Sequence, residues 1–329
     1  MAGTRVMCLA RRGHGRGAGP GCLVPAMRPL PFALIVVVAA CSSSTSSDSP
    51  GDASTTTADA ATSSDGAPSG ARPTVPTPTG TCPAITKGDV TFAPAGIPPR
   101  KVKLELDPAA ASQQGTLVLY WHATGSSPLE AGYSLGSTQA TITSGGGIIA
   151  SPYSDPAAGQ FEWYLVNGSP KQDDFVLADE IVACLAAANR IDTTHIHSMG
   201  MSAGALQTSA LSLLRASYIA SVATFSGGLT SGFSPASQNP ENKFAALMFV
   251  GGASDNVFGL DFLAATKRYQ ELLLASGHFA ALCNHGMGHK IPLDAAPSVV
   301  MFFDDNAFGA WPSPYAEGLP ASFPAYCAL

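Results

Sequence analysis

Charge is scarce in this sequence and positive charge scarcest: 17 Lys and Arg stand against 23 Asp and Glu in 329 residues. Residues 1–40 hold five arginines and no acid, so 12 cationic residues face 23 acids in the remainder, a formal balance of -11. Binding nucleic acid requires a basic face that neutralises phosphates, and this balance argues against nucleic acid as a partner. Long hydrophobic runs are also missing. The longest candidate, Phe32 to Cys41, is ten residues, against the roughly 18 to 20 that a membrane-spanning helix needs, so an integral membrane protein is not expected. No CxxC pair or Cys/His cluster has zinc-ligand spacing, and no metal site is expected.

The ten-residue run follows a cationic start and ends in Val38, Ala39, Ala40, Cys41, the layout of a secretory leader. The ending resembles the bacterial lipobox, where a small-residue pair precedes a cysteine that is diacylated and becomes the mature N-terminus. Residues 1–40 are therefore expected to be a cleaved leader and Cys41 a lipidated residue, with an ordinary signal peptide as the plainer alternative. Met27 is a second candidate start, because the Arg- and Gly-rich stretch before it is unusual ahead of such a leader. Arg11 and Arg12 lack the rest of a twin-arginine pattern. From Ser42 to Thr81, 19 of 40 residues are Ser or Thr and Val75 is the only large aliphatic. Such a tract buries too little apolar surface to offset its ordering entropy, so residues 41–81 are expected to form a disordered stalk. The chain is thus expected to be exported and to touch a membrane only through its lipid.

A catalytic domain is expected over residues 82–329, about 248 residues, enough for one large core. It keeps Cys82, Cys184, Cys283 and Cys327, an even number suited to an oxidising compartment. Of the three possible connectivities, Cys82 with Cys184 and Cys283 with Cys327 is the one expected. Short apolar runs recur at Leu117 to Trp121, Gly147 to Ala150, His195 to Met199, Ile219 to Phe225, Ala246 to Val250 and Phe279 to Cys283, each bounded by turn-forming residues. Helical patterns separate them at Phe175 to Asn189, Ala203 to Ala216 and Phe262 to Ser276. Strands alternating with helices imply an α/β fold, a mostly parallel central sheet with helices on both faces. Catalytic groups in such folds sit at the carboxyl ends of the strands.

At one such end stands Gly200-Met201-Ser202-Ala203-Gly204, a G-x-S-x-G between a strand and a helix. The turn is so sharp that the residues two before and two after the serine crowd each other's backbones, hence glycine at both. A serine hydroxyl needs a base, and the base needs an orienting carboxylate, in the chain order Ser, Asp, His. His285 and His289 follow the strand Phe279 to Cys283. His289 is preferred because it lies further into the loop, before the break at Pro292. Asp255 follows the strand ending at Val250. Asp261 is the fallback, although a helix start explains it more simply. The oxyanion of an acyl-transfer intermediate would take the N–H of Ala203 and one from the loop after Trp121, assigned to Ala123. No cofactor is required for this chemistry.

These residues make the chain recognisable: it resembles α/β-hydrolase esterases of the polyhydroxybutyrate depolymerase-like group, which overlaps with secreted feruloyl and acetylxylan esterases. The resemblance spans most of residues 82–329 and rests on Asp173-Asp174, Arg190-Ile191-Asp192 leading into GMSAG, GGASD with Asp255, and GMGHKIP with His289. It implies the α/β-hydrolase fold and a nucleophile, acid and base at Ser202, Asp255 and His289. It also implies small or oligomeric esters as substrates, hydroxyalkanoate oligomers or feruloyl and acetyl esters among them. The family usually has His-Gly where this chain has His122-Ala123, and glycine there tolerates a backbone conformation that alanine resists, leaving Thr124 as the alternative donor. Two other readings share these residues: a binding lipoprotein whose hydrolase fold no longer catalyses, and a serine peptidase.

Overall fold

Residues 71–329 are described by the computed structural model. The expected leader, Met27, Cys41 and the Ser/Thr tract up to residue 70 lie outside the described residues.

The strands are β1 (Gly88–Phe92), β2 (Arg100–Glu105), β3 (Gly115–Trp121), β4 (Ile148–Pro152), β5 (Ile191–Met201), β6 (Ser221–Phe225), β7 (Ala245–Val250), the short hairpin β8 (Asn256–Val257) and β9 (Leu260–Asp261), β10 (Phe279–Asn284) and β11 (Cys327–Ala328), of which β3 to β7 and β10 hold the apolar runs. Between them lie α1 (Glu130–Leu135), α2 (Gln139–Ser144), α3 (Asp173–Ala187), α4 (Ala203–Leu214), α5 (Phe262–Ala275) and α6 (Ala296–Asp305). Nine strands form one sheet in the order β1-β2-β4-β3-β5-β6-β7-β10-β11. From β4 to β10 every neighbour is parallel, while β1, β2 and β11 pair antiparallel at the two edges.

The two-residue period of a strand divides the core in two. Leu117, Leu119 and Trp121 of β3, with Ala246 and Met248 of β7, pack with Phe175 and Ile181 of α3, Leu211 of α4 and Tyr269 of α5. Val118 and Tyr120, with Leu247 and Phe249, pack on the opposite face with Ala131 of α1, Ile142 of α2 and Val299 and Phe303 of α6. Helices therefore cover both faces, as expected, and the interior strands β6 and β7 are buried at every position. The antiparallel pair β1 and β2, absent from the sequence reading, carries the alternation of a half-exposed edge: in β2, Val102 and Leu104 are buried between Lys101 and Lys103. Helix α6, also missed, begins at Ala296 and carries Pro297 in its first turn, where no intrahelical N–H partner is lost.

The two disulfides are Cys82–Cys184 and Cys283–Cys327, the pairs expected above. The boundary expected at Cys82 needs correction, because the packed chain begins earlier. Thr74 N–H donates to Ser217 O at 2.8 Å, and Val75 packs against the core. The Thr79 N–H and hydroxyl and the Gly80 N–H donate to the Glu180 carboxylate at 2.8, 2.7 and 2.9 Å. A polar segment with little to bury is ordered here by one carboxylate and the adjoining disulfide.

Candidate active site

Between β5 and α4 the chain reverses within a single residue. Ser202 sits there at φ 55° and ψ -118°, a left-handed conformation that a non-glycine residue adopts only when its surroundings impose it. Its N–H is fixed to Phe225 O at 2.9 Å, and its carbonyl accepts from the Ala205 and Leu206 N–H groups that open α4. The crowding expected around the serine is present: a Cβ on Gly204 would lie 1.8 Å from Trp121 O, and one on Gly200 would lie 2.5 Å from the same oxygen and 2.6 Å from Gly204 C. Any side chain at either position would force β3 away from the turn.

The loops after β7 and β10 are tied to each other. His285 N–H donates to Val250 O at 3.0 Å and Gly288 N–H to Gly251 O at 2.9 Å. A Cβ on Gly251 would lie 1.9 Å from Gly288 O, so the GGASD and GMGH segments can meet there only while residue 251 is glycine. This union sets His289 Nδ1 2.7 Å from Asp255 Oδ1. Asp255 is fully buried, and its Oδ2 accepts from the Ser226 hydroxyl at 2.7 Å and the Gly251 N–H at 2.8 Å. Burial raises the pKa of this carboxyl, but the hydrogen bonds from His289, Gly251 and Ser226 outweigh it and hold the group below the ordinary carboxylate value. The Phe262 ring lies against His289 with 4.6 Å between centroids. The fallback residues have other employment. His285 Nδ1 accepts from the Met287 N–H of its own loop, and Asp261 caps α5 by accepting from Ala264 N–H.

Ala123 is corrected. Its N–H donates to Glu130 Oε1 at 3.0 Å and is not free to receive a developing oxyanion. The adjacent Thr124 lines the pocket together with Ser202 and Ala203, and among the described residues no acceptor engages the Thr124 or Ala203 N–H. The departure from His-Gly is also resolved. Ser126 N–H closes a turn on Ala123 O at 3.0 Å, and the positive φ that this turn requires, 74°, falls on Gly125 while Ala123 stays outside the left-handed region.

A cavity of about 540 Å³ opens beside Ser202. Its walls are mainly apolar: Phe161, Leu165 and Val166 from the segment after β4, Leu206 from α4, Phe233, and Val257, Phe258 and Leu260 from the β8–β9 hairpin. Phe161 and Phe258 meet edge to face across it, with centroids 5.4 Å apart. Among the described residues no Lys, Arg, Asp or Glu lines the cavity. Among the described residues the one Cys, His, Asp or Glu grouping with metal-ligand spacing is Cys82, Glu180 and Cys184, and its two sulfurs are joined to each other.

Sequence reasoning missed Ser226, Glu130 and Glu162, each of which bonds to a site loop. Ser226 had a signal, as a polar residue directly after the strand next to the one that leads into Ser202.

No family model and no curated protein matches the sequence. Solved structures do. Native pOPH superposes with a TM-score of 0.58 at 15% identity, covering 75% of this chain and 96% of that one. A complex of a serine-to-alanine variant of pOPH with pNPB gives 0.57 at 14% identity, covering 75% and 95%. A thermostable esterase gives 0.52 at 12% identity, covering 67% and 62%. With its mostly parallel sheet, the chain has the α/β-hydrolase fold.

Proposed function

We propose that this chain is a serine ester hydrolase acting on neutral esters with a sizeable apolar acyl group. The observation that carries the reading is the Asp255–His289 pair, bonded at 2.7 Å on two interlocked loops at the strand ends where the strained Ser202 opens onto an apolar cavity. The Ser202 hydroxyl attacks the ester carbonyl while His289 takes its proton. Asp255 keeps the imidazole in the tautomer that presents Nε2 and stabilises the cation that follows. The N–H groups of Ala203 and Thr124 hold the oxyanion. His289 then protonates the departing alcohol, and water releases the acid from the acyl-serine by the same steps in reverse.

The cavity narrows the substrate. At about 540 Å³ an acetyl group would leave most of it empty, while an aromatic or medium-length alkyl acyl group would fill it. The absence of a charged wall favours neutral acyl groups, among which hydroxyalkanoate oligomers and feruloyl esters fit better than acetyl esters. The presence of a thermostable esterase among proteins of this fold is in keeping with ester substrates. Two disulfides support an exported protein, and Cys41 is proposed as its lipid attachment.

The test is hydrolysis of nitrophenyl esters of increasing acyl length, methyl ferulate and acetylated xylan, with Ser202→Ala beside the wild type. Serine-dependent turnover rising from acetyl to medium-length or aromatic acyl groups is the expected result. Equal inertness of two folded proteins would remove the esterase reading, and cleavage of peptides alone would replace it with a peptidase.

A further inference from the structure

In the turn after β3, the N–H groups of Ala123, Gly125 and Ser126 each have an acceptor, and among the described residues that of Thr124 has none. Trp163 Nε1–H donates to His122 O at 3.0 Å, and Ala123 O lies 2.9 Å from His122 Nδ1 and accepts from Ser126 N–H at 3.0 Å. The N–H groups on either side of Thr124 go to two carboxylates from different parts of the fold. Ala123 N–H donates to Glu130 Oε1 at 3.0 Å, and Gly125 N–H donates to Glu162 Oε1 at 2.9 Å. Each carboxylate is itself fixed. Glu130 Oε1 also accepts from the buried Tyr120 hydroxyl at 3.0 Å, and that hydroxyl is paired with Ser134 Oγ. Glu162 Oε2 accepts from Ser154 Oγ at 2.8 Å, and the residue is held at φ 69°, a strained value for glutamate.

Two carboxylates beside an oxyanion hole oppose the negative charge that develops there, so their presence asks for a compensating role. Peptide planes couple neighbouring N–H directions, and pinning the amides of residues 123 and 125 leaves the intervening plane little freedom. We infer that Glu130 and Glu162 are positioning residues that clamp this turn from both sides and thereby aim the Thr124 N–H at the reacting carbonyl. The inference rests on the esterase reading and adds to it the origin of the second oxyanion donor in a chain with Ala123. The carboxylates act as acceptors at fixed positions, and neither touches substrate. Preorganisation of this kind matters because a donor that must reorient during the reaction loses much of its worth.

Geometry and charge are separated by two substitutions at each site. Glu→Gln keeps an oxygen acceptor at the same reach without charge, whereas Glu→Asp keeps the charge and withdraws the acceptor by one methylene. For Glu130→Asp and Glu162→Asp, kcat on a nitrophenyl ester is expected to fall about 10-fold or more, with KM within about 2-fold, on the scale of losing part of one oxyanion donor. Glu130→Gln and Glu162→Gln should recover most of that loss. Amide hydrogen exchange gives a readout that needs no activity: the Ala123 and Gly125 N–H groups should be protected in the wild type and in the Gln variants and should exchange faster in the Asp variants. Asp variants with wild-type kcat and protection overturn the inference, as do Gln variants that lose as much as the Asp variants. If Ser202→Ala is as active as the wild type, the failure belongs to the esterase reading, and the exchange data alone then decide whether the clamp exists.

Discussion

Ser226 carries a load that its place in the sequence does not announce. It follows the last residue of β6 at φ 52° and spends its hydroxyl on Asp255 Oδ2. Because Asp255 has a lower pKa folded than its ordinary 3.8, the folded state binds that proton less tightly than the unfolded chain. The resulting stabilisation is fully present above about pH 3.8 and is lost as the pH falls below it. Ser226→Ala keeps the backbone and deletes one hydrogen bond to a charged acceptor. It should lower kcat about 10-fold, which is the effect of about 1.4 kcal/mol, and should shift acid unfolding to higher pH. Unchanged kinetics and an unchanged acid midpoint would show that the hydroxyl is a bystander. The placement of Ser202, Asp255 and His289 in loops at the strand ends was legible in the sequence, because glycines flank each of them in the chain and the runs before them read as strands. Ser226 and Glu162 act on partners 29 and 37 residues away, a relation that local pattern does not encode. Ala123 went wrong although its partner Glu130 is only seven residues on, because the pattern of a loop does not say which N–H a nearby carboxylate will take.

The segment 153–172 is the least regular element at the site, and α3 holds it in place. Asp173 and Asp174 read as acids suited to a helix start, and Asp173 does sit 3.8 Å from Lys171 at the surface. Asp174 instead turns inward, accepting from Arg100 Nη1 at 3.2 Å and from Tyr164 N–H at 2.7 Å. Arg100 also donates to Tyr153 O through Nε and Nη2, so one ion pair fastens both ends of the segment that supplies Phe161, Leu165 and Val166 to the cavity. Burial pushes the Asp174 pKa up to about 6, with Arg100 opposing, so the folded state binds this proton more tightly than the unfolded chain. The contribution of that proton to stability is full below the ordinary value of 3.8 and is lost as the pH rises through about 6. Urea unfolding of the wild type and Asp174→Asn should show this as a difference in stability that moves against the wild type from about pH 4 to about pH 6 and is flat above. A constant difference across that range would mean that Asp174 stays ionised throughout. The parallel strands and the helices α3, α4 and α5 of one face were readable from period and punctuation, whereas the short α1 and α2 and the Pro-containing α6 of the other face were not. The turn-rich segment was not, because an ion pair to β2 orders it.

At the scale of the whole chain the two disulfides do different work. Cys82–Cys184 spans 102 residues and encloses β1 to β4 with the turn after β3, but Ser202, Asp255 and His289 lie outside that loop. Cys283–Cys327 spans 44 residues and joins β11 to β10, the strand that runs directly into the His289 loop, where Asn284 N–H also donates to Tyr326 O at 2.9 Å. Closing a loop of about 100 residues restricts the unfolded chain by about 4 to 5 kcal/mol in the entropic account, and a loop of half that length by only slightly less. The paired variants Cys82→Ser/Cys184→Ser and Cys283→Ser/Cys327→Ser should therefore unfold at similarly lowered temperatures, by about 8 to 15 °C for a domain of this size. Their kinetics should diverge. The first should keep kcat within about 2-fold at 25 °C, because Glu180 still gathers the Thr79 and Gly80 donors and the loops that carry Ser202, Asp255 and His289 are untouched. The second frees the edge strand that backs the His289 loop and should lose kcat with little change in KM, since the cavity walls come from other elements. Thermal unfolding with and without reductant, followed by kinetics of both variants well below their midpoints, separates the two effects. Equal losses of kcat would mean that both crosslinks act only through global stability, and that β11 has no part in holding His289 on Asp255.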